Sequence, residues 1–228
     1  MVVGWNTLPF LKVLVEAVHR FSPAGTEIVV VDNHSTDGSR EWLRGRHDLL
    51  HVLLPLNVGH GPALDIGVAR VHTDRFVALD VDAFPVTAEW LPVLRAHLDA
   101  GNEVVGGHIH RQFVHPSLLA MRTRRFLDHR HTFRRPPWPD GTFVEGTHWD
   151  VGERISMREQ PRVALIEPSE VRGPARVGTV YGGIVYHCFY ATQGAPDERA
   201  AVADAFGEAV ARYLPGTPAP DPSNQTSS

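Results

Sequence analysis

Two aspartates separated by a single residue follow an apolar stretch in RFVALDVDAFP, residues 75–85. Residues 76–79 are predicted to form a buried strand, so Asp80 and Asp82 fall at its end with both carboxylates on the same side. Because like charges held this close repel each other, the pair destabilises the fold unless it holds a ligand. Oxygen ligands of this kind suit a hard divalent cation that keeps water molecules and bridges phosphates. The pair therefore indicates a Mg²⁺ or Mn²⁺ site that binds a diphosphate.

Polar residues also follow two other apolar segments of the sequence. Asp32 ends the segment EIVVVD, and Asn57 and Gly59 follow the segment LHVLLPL. Ligands of open α/β sheets bind in the crevice outside the carboxyl ends of the strands. We therefore expect these residues to converge with the aspartate pair on one crevice. Asp32 has a second interpretation, since an aspartate before NHSTDG can organise a turn without any ligand.

Strand and helix patterns alternate over the first 106 residues. The second strand, EIVVVD, is apolar between Glu27 and Asp32, which is typical of a strand buried on both faces, and the first helix carries one apolar face. This repeat predicts a parallel sheet with helices on both faces. The predicted strands cover residues 1–4, 27–32, 50–56, 75–80 and 103–107. The predicted helices cover residues 7–21, 41–44, 61–71 and 87–101.

The pattern after residue 107 is less regular. Strands are predicted over residues 117–122, 162–167 and 182–190, and helices over residues 149–159 and 195–214. Residues 215–228 are rich in proline and serine, which predicts a disordered tail. We expect a single α/β domain at 1–214, with a nucleotide-type half at 1–106 and a variable half at 107–214.

The composition restricts the classes of partner and of chemistry. The formal net charge of −4 over 228 residues provides no overall positive field, so we expect no nucleic-acid partner. Cys188 is the only cysteine, which excludes an intrachain disulfide and a cysteine-rich zinc site. With no apolar run of about 18 residues and no signal-peptide pattern, we expect a cytoplasmic protein without a membrane span. His108 and His110, and likewise His129 and His131, are spaced to share one side of a strand, but no His-Glu-x-x-His motif accompanies them.

Three sequence blocks, each predicted to lie at a strand end, carry a resemblance to a known family. They are VVVDNHSTDGS at 29–39, NVGHGPALDIGVA at 57–69 and LDVDAFP at 79–85. With these blocks the sequence resembles a family 2 glycosyltransferase with the GT-A fold. The resemblance implies a central, mostly parallel sheet flanked by helices, with the nucleotide sugar bound by the first half and the acceptor by the second. It also implies a metal-dependent, inverting transfer of a sugar from a nucleoside diphosphate sugar to an acceptor hydroxyl.

The resemblance implies a role for each residue of the three blocks singled out above. Asp32 matches the acid that contacts the nucleobase. Asn57 and Gly59 lie in the second block, and with Asp80 they are assigned to nucleotide binding. Asp80 and Asp82 match the two acids of the metal motif, with Mg²⁺ or Mn²⁺ as the implied cofactor.

The second half of the chain matches the family more loosely. His187, in IVYHCFY, matches the third metal ligand, and Asp150, in WDVGERISMR, matches the general base. The frequent Glu-Asp pair of the catalytic segment is replaced by HWD, so Glu145 and Glu153 are rivals for the base. Asp65 stands where the family commonly has asparagine.

Two alternative functions stay open on the sequence. A nucleotidyltransferase can share this fold and metal, but it would need a glycine-rich loop with basic residues after the first strand. The segment at that place, GWNTLPF, is neither glycine-rich nor basic. A non-catalytic module that binds sugars or nucleotides would not need a base at Asp150. The acceptor is an unknown hydroxyl compound: a saccharide, a natural product or a lipid-linked glycan. The arginines between Arg122 and Arg135 form a positive patch that suits an anionic acceptor or peripheral contact with an anionic membrane.

Overall fold

The computed structural model describes residues 1–108, 113–135, 150–172, 177–189 and 196–219. The described strands are β1 (Val2–Gly4), β2 (Val29–Asp32), β3 (Leu50–Leu53), β4 (Arg75–Ala78), β5 (Ala83–Pro85), β6 (Val104–His108), β7 (Val114–Arg122), β8 (Val163–Ile166), β9 (Pro168–Arg172), β10 (Gly178–Tyr181) and β11 (Val185–Cys188). The described helices are α1 (Leu8–Phe21), α2 (Ser39–Arg44), α3 (His60–Val68), α4 (Trp90–Asp99), α5 (Thr123–Asp128), α6 (Glu153–Glu159) and α7 (Pro196–Tyr213).

The central sheet has the strand order β3-β2-β1-β4-β7-β6-β8. Strands β1, β2 and β3 run parallel, and a parallel bridge between Val2 and Leu79 extends this part of the sheet to β4. Strand β7 runs antiparallel to both β4 and β6, and β8 runs parallel to β6. The sheet is thus mostly parallel, as predicted, and the carboxyl ends of β1 to β4 meet along one edge, where ligands of such sheets bind.

A second, antiparallel sheet has the strand order β5-β11-β10-β9. Strand β5 begins directly after Asp82 and pairs with β11 so that Ala83 lies opposite His187. This pairing joins two segments that are distant in the sequence. The second sheet therefore brings His187 to the carboxyl end of β4.

Apolar side chains pack against both faces of the central sheet. The alternation is clear along β7, where Leu118 and Ala120 belong to one core and Leu119 and Met121 to the other. The first core packs α1, α4 and α7 against the sheet, and the second packs α3, α5 and α6. Each large apolar side chain buried in this way contributes about 1.5–3 kcal/mol to folding. Helices thus flank both faces, which confirms the predicted α/β class.

The main differences from the predicted elements are three short strands and one helix start. The sequence pattern does not predict β5, β9 or β10, because β5 contains a proline and β9 is largely exposed. The helix predicted over 149–159 begins only at Glu153, because Gly152 adopts a positive φ of 81°. Residue 149 itself lies outside the described residues.

The chain turns directly after α7, where the N–H of Thr217 donates to the carbonyl of Leu214. Of the predicted tail, residues 215–219 are described and 220–228 lie outside the described residues. The disorder of the tail and the division of the domain into two halves stay predictions. Within the part of the chain that the structure describes, no helix combines the length and the apolar character needed to cross a bilayer.

Candidate active site

Asp80, Asp82 and His187 converge beyond the end of β4. The chain turns there, with the N–H of Ala83 donating to the carbonyl of Asp80, and the N–H of Cys188 donates to the carbonyl of Asp82, both at 3.0 Å. Nε2 of His187 lies 3.5 Å from Oδ1 of Asp82 and 3.9 Å from Oδ2 of Asp80. One ligand atom of each of the three residues lies within 4.8 Å of the others. The structure therefore brings the three predicted metal ligands together.

This set of ligand atoms fits a divalent cation. Asp82 is 6% exposed and His187 is 4% exposed, so two carboxylates and an imidazole face one another largely out of water. Two carboxylates this close destabilise the fold without a counter-charge. Nδ1 of His187 is buried and has no hydrogen-bond partner among the described residues. Carboxylate oxygens suit Mg²⁺ and Mn²⁺ and imidazole suits transition metals, so the set is compatible with Mn²⁺ in particular.

Two further histidines contact Asp80, and the sequence analysis does not find them. His60 begins α3 and places Nε2 3.2 Å from Oδ1 of Asp80. His115 lies on β7 and places Nδ1 3.6 Å from Oδ2 of Asp80. Burial raises the pKa of Asp80, but the His60 contact and the other nearby imidazoles lower it by more, which holds the carboxylate ionised.

The sequence indicates the position of His60 at the site but not that of His115. His60 stands inside the block NVGHGPALDIGVA, so its place at the edge of the sheet could have been inferred. His115 belongs to none of the three blocks and reaches the site only because β7 runs antiparallel beside β4. Burial lowers the pKa of His115, but hydrogen bonding to Asp150 and the charge of Asp80 raise it by more.

Asp150, the predicted general base, lies in the same cluster. Its Oδ2 is 3.5 Å from Nε2 of His115, and its Oδ1 is 3.5 Å from Nη2 of Arg135. The N–H of Val151 donates to Oδ1 at 2.7 Å. Burial raises the pKa of Asp150, but these three contacts lower it by more, to about 2. His115 thus stands between Asp150 and Asp80, one of the predicted metal ligands.

The two rivals of Asp150 are placed differently. Glu153 is 5% exposed, and its Oε2 accepts the N–H of Asp150 at 3.1 Å. Gly152 is the N-cap of α6, so this contact stabilises the turn of residues 150–153 that precedes the helix. Glu145 lies outside the described residues.

Asp32 ends β2 and is 1% exposed. Its Oδ1 accepts the N–H of Ser35 at 3.1 Å and Nη1 of Arg40 at 2.9 Å. Arg40 also donates to the carbonyl of Leu54 at 2.7 Å, so Asp32 does organise the turn, as its second interpretation predicts. Oδ2 is buried with no hydrogen-bond partner in the described part of the chain. One oxygen therefore serves the turn, and the other is buried beside it without a donor from the described residues.

Asn57 and Gly59 form the loop between β3 and α3. Oδ1 of Asn57 accepts the N–H of Gly59 and Nδ2 of Asn33, each at 2.9 Å. Oδ1 of Asn33 in turn accepts the N–H of Val58 at 3.0 Å. Gly59 adopts a φ of 87°, which glycine reaches without strain. These contacts tie the loop to Asn33, the residue after Asp32, so Asp32, Asn57 and Gly59 lie along one edge of the sheet.

Trp5 follows β1 at the same edge and is 45% exposed. Strand β1 pairs with β2 so that Gly4 lies opposite Asp32, which puts Trp5 beside the predicted nucleotide position. An exposed aromatic ring at this place can stack on a planar base. The sequence analysis does not find Trp5, although an aromatic residue directly after the first strand is a signal that could have found it.

A second group of possible metal ligands joins α5 and α6. His129, His131 and Glu159 each offer a ligand atom within 4.8 Å of the others. Arg125 donates to both carboxylate oxygens of Glu159, at 3.2 and 2.9 Å, and Nε2 of His131 lies 2.5 Å from Oε1. Because a guanidinium already neutralises this carboxylate, we interpret the group as a buried ion-pair network and assign no metal to it.

The fold and this cluster of acids and histidines agree with the GT-A class of fold that the sequence predicts. The chain belongs to glycosyl transferase family 2, whose sequence profile matches residues 2–155. The match covers the three blocks and reaches the segment that carries Asp150. It confirms the resemblance on which the sequence analysis relied.

The relatives agree with this assignment. Glycosyltransferases described as uncharacterized, from Mycobacterium tuberculosis and Mycobacterium bovis, are 38% identical over 85 residues, which is 37% of this chain and 38% of each relative. The mannosyltransferase PcManGT from Pyrobaculum calidifontis, solved in complex with GDP-Man and Mn²⁺, superposes with a TM-score of 0.56 at 19% identity. S. aureus TarS 1–349, solved in complex with UDP-GlcNAc, superposes with a TM-score of 0.56 at 14% identity.

The solved structures establish the fold of this chain. Both solved chains are longer than this one. The superposition covers 97% of this chain and 65% of the mannosyltransferase. For TarS 1–349 it covers 93% of this chain and 66% of that chain. This chain therefore spans about two thirds of either solved chain, and 39% of the longer solved chain of TarS.

Proposed function

We propose that this protein is a metal-dependent, inverting glycosyltransferase that moves a sugar from a nucleoside diphosphate sugar to an acceptor hydroxyl. The observation that carries the proposal is one continuous cluster. Asp80, Asp82 and His187 form a metal-type set, and His115 connects it to the carboxylate of Asp150. A metal-binding set and a solvent-accessible carboxylate side by side are what donor activation and acceptor deprotonation require.

The nucleotide is proposed to bind along the ends of β1, β2 and β3. Oδ2 of Asp32 accepts a hydrogen bond from the base or ribose, and Trp5 stacks on the base. Asn57 and Gly59 shape the loop on the other side, and Asp80 reaches the ribose or diphosphate. The complexes of the two solved neighbours with GDP-Man and with UDP-GlcNAc support a nucleotide sugar as the donor.

Asp80, Asp82 and His187 would hold Mg²⁺ or Mn²⁺. When bound, the cation neutralises the charge that develops on the leaving diphosphate. We propose Mn²⁺ as the better cofactor, because an imidazole ligand favours a transition metal over Mg²⁺. The Mn²⁺ in the mannosyltransferase complex supports this choice.

Asp150 is proposed as the general base. Its carboxylate is ionised and 32% exposed, so an acceptor hydroxyl can reach it, whereas Glu153 is buried against the backbone. As the acceptor oxygen attacks the anomeric carbon, its proton passes to Asp150 and the bond to the diphosphate oxygen breaks. Because the attack comes from the face opposite the leaving group, the configuration at the anomeric carbon inverts.

The acceptor is proposed to bind beside Asp150. Of the predicted positive patch, Arg122 donates to the carbonyl of Leu98 at 2.5 Å, and Arg125 is paired with Glu159. Arg124, Arg134 and Arg135 expose 91%, 66% and 65% of their side chains. These three arginines remain the proposed contact for an anionic acceptor or membrane surface. Cosedimentation with vesicles that contain or lack anionic lipid tests the membrane contact.

The donor is identified by a thermal-shift panel of UDP- and GDP-sugars with Mn²⁺. A ligand at 100 times its dissociation constant adds about 2.7 kcal/mol of stability, or roughly 5–10 °C for a chain of this size. The stabilising donor is then offered to a panel of hydroxyl acceptors, with release of nucleoside diphosphate as the readout and NMR of the product for its anomeric configuration. We expect release that stops in EDTA and a product of inverted configuration. A retained configuration, or full activity in EDTA, contradicts the proposal.

A further inference from the structure

His115 contacts two acids to which the proposed function gives different tasks. Nδ1 lies 3.6 Å from the metal-binding Asp80, and Nε2 lies 3.5 Å from the proposed base Asp150. The ring is 18% exposed and belongs to β7, which is held between β4 and β6. His115 lies next to the pair of Val114 with His108, where the register of β7 against β6 shifts, so it is carried by a strand rather than by a loop.

The orientation of the imidazole is set by the backbone of its own strand. The N–H of Ser117 donates to Nδ1 at 3.1 Å, which requires a lone pair on that nitrogen. In the neutral ring the proton is then on Nε2, the nitrogen that faces Asp150. Backbone or carboxylate contacts of this kind commonly fix the tautomer of a functional histidine.

Asp150 needs such an anchor, because it lies ahead of α6 in no helix or strand. Its Oδ1 accepts the N–H of the next residue, Val151, and Oδ2 faces His115. The distance of 3.5 Å is long for a hydrogen bond, but such contacts often tighten when substrate binds. With a contact at each oxygen, the Asp150 carboxylate keeps a single orientation toward an incoming acceptor hydroxyl.

We propose that His115 is a positioning residue, whose Nε2–H holds Oδ2 of Asp150 so that the base stays aligned with the metal-binding acids. This inference rests on the proposed function, because it assigns His115 a task in that reaction. Misplacing a reacting group by about 1 Å can cost about 100-fold in rate. His115 is therefore expected to affect turnover much more than donor affinity.

Two substitutions at His115 separate its contacts. His115→Asn keeps an acceptor near Nδ1 for the N–H of Ser117 but no longer reaches Asp150. His115→Gln can place an amide N–H near the position of Nε2. We expect His115→Asn to lower kcat about 10- to 100-fold, with the donor KM and the Mn²⁺ dissociation constant within about twofold of wild type. His115→Gln should recover most of the loss, and His72→Gln, a 73%-exposed surface control, should match wild type.

A double-mutant cycle with Asp150→Asn tests whether His115 acts through the base. If it does, adding His115→Asn to Asp150→Asn costs no further rate, because the positioned group is already lost. Multiplied losses, or a loss in Mn²⁺ binding that accounts for the rate, overturn the inference.

Side-chain ¹⁵N shifts of His115 at about pH 9 give a readout that does not depend on activity. We expect the Nε2–H tautomer, with shifts that change in Asp150→Asn but not in the surface control Asp128→Asn. The opposite tautomer, or no response to Asp150→Asn, overturns the inference while leaving the proposed function intact. No transfer by the wild type with any stabilising donor would instead overturn the proposed function, and that result involves no His115 variant.

Discussion

At the residue scale, the aspartate pair is compensated by histidines. His60 and His115 contact the two oxygens of Asp80, and His187 lies between Asp80 and Asp82. Burial raises the pKa of Asp80, but the contact with His60 and the other nearby imidazoles lower it by more, so the Asp80 carboxylate is held ionised.

The lowered pKa of Asp150 predicts a pH dependence of stability. A carboxylate with a folded pKa of about 2 and an unfolded pKa of about 3.9 stabilises the folded state above pH 4. That contribution is lost as the pH falls from about 4 to about 2. We predict that the unfolding free energy of Asp150→Asn declines less steeply with falling pH than that of wild type or of Asp128→Asn. Urea unfolding at pH values between about 6 and 3 measures this decline. Equal slopes in all three proteins would contradict the assigned contacts.

Asp150 and Glu153 are predicted to fail in different ways when substituted. Asp150→Asn removes the proton acceptor but keeps the shape, so kcat should fall about 10²- to 10⁴-fold with donor and metal affinity nearly unchanged. Glu153→Ala removes the hydrogen bond that the buried carboxylate accepts from the N–H of Asp150, so the protein should lose about 0.5–3 kcal/mol of stability with kcat changed only a few fold. Steady-state kinetics and thermal unfolding of both variants test this. A dead Glu153→Gln with a fully active Asp150→Asn would reassign the base.

Asp32 is predicted to affect nucleotide affinity through its Oδ2 atom. Losing one charge-assisted hydrogen bond costs about 1.5–3 kcal/mol, so Asp32→Asn should weaken nucleoside diphosphate binding roughly 10- to 150-fold in calorimetry. The matched control is Asp37→Asn. Asp37 accepts the N–H of Leu8 at 2.8 Å and the N–H of Ser39 at 3.0 Å, so its loss should lower stability more than affinity. An unchanged dissociation constant for Asp32→Asn would mean that Asp32 stabilises the turn but does not bind the nucleotide.

At the element scale, α3 positions the segment that leads toward Asp150. Asp65 on α3 accepts the Thr132 hydroxyl at 2.5 Å and the N–H of Phe133 at 2.8 Å. A Cβ at Gly61, one turn earlier, would lie 2.6 Å from the carbonyl oxygen of Phe133. The aspartate where the family commonly has asparagine thus has a structural use, because its two oxygens serve two donors.

Gly61→Ala is predicted to be destabilising despite lying in a helix. The added methyl group forces the 132–134 segment away, at a cost of about 1–3 kcal/mol, and each kcal/mol lowers the melting temperature by about 2–4 °C. Gly207→Ala on α7 is the control, since its nearest neighbour lies 3.7 Å away and alanine favours helix by about 1 kcal/mol. Thermal unfolding should show opposite signs for the two variants. Equal melting temperatures would mean that residues 132–134 move aside for the added methyl group without loss of stability.

Some of the helices and strands could be predicted from the sequence, and others could not. The buried strands and amphipathic helices of the first half carry strong apolar patterns, so their order could be predicted, and with it the place of Asp32, Asn57 and Asp80 after strands of one sheet. The short strand β5 and the contacts of His115 could not. Strand β5 exists because β11 pairs with it, and His115 depends on the antiparallel course of β7, so both are set by tertiary pairing rather than by local pattern.

At the scale of the whole molecule, the two sheets meet where the chemistry is proposed. The central sheet supplies Asp32, Asp80 and His115, and the second sheet supplies His187 through its pairing with β5. The family match covers residues 2–155, which include every strand of the central sheet except β8, and it ends before β11. The metal-type set therefore joins a part of the chain inside the matched region to a part beyond it.

The most direct test of this account is Mn²⁺ binding followed by electron paramagnetic resonance in the presence of saturating UDP or GDP. The account predicts that wild type and Asp128→Asn remove the signal of free Mn²⁺ and that EDTA restores the nucleotide-free melting temperature. Asp82→Asn, folded by circular dichroism, should bind Mn²⁺ at least about tenfold more weakly, because it loses a direct ligand. Wild-type Mn²⁺ affinity in Asp82→Asn, or nucleotide binding that is equally tight in EDTA, would contradict the account.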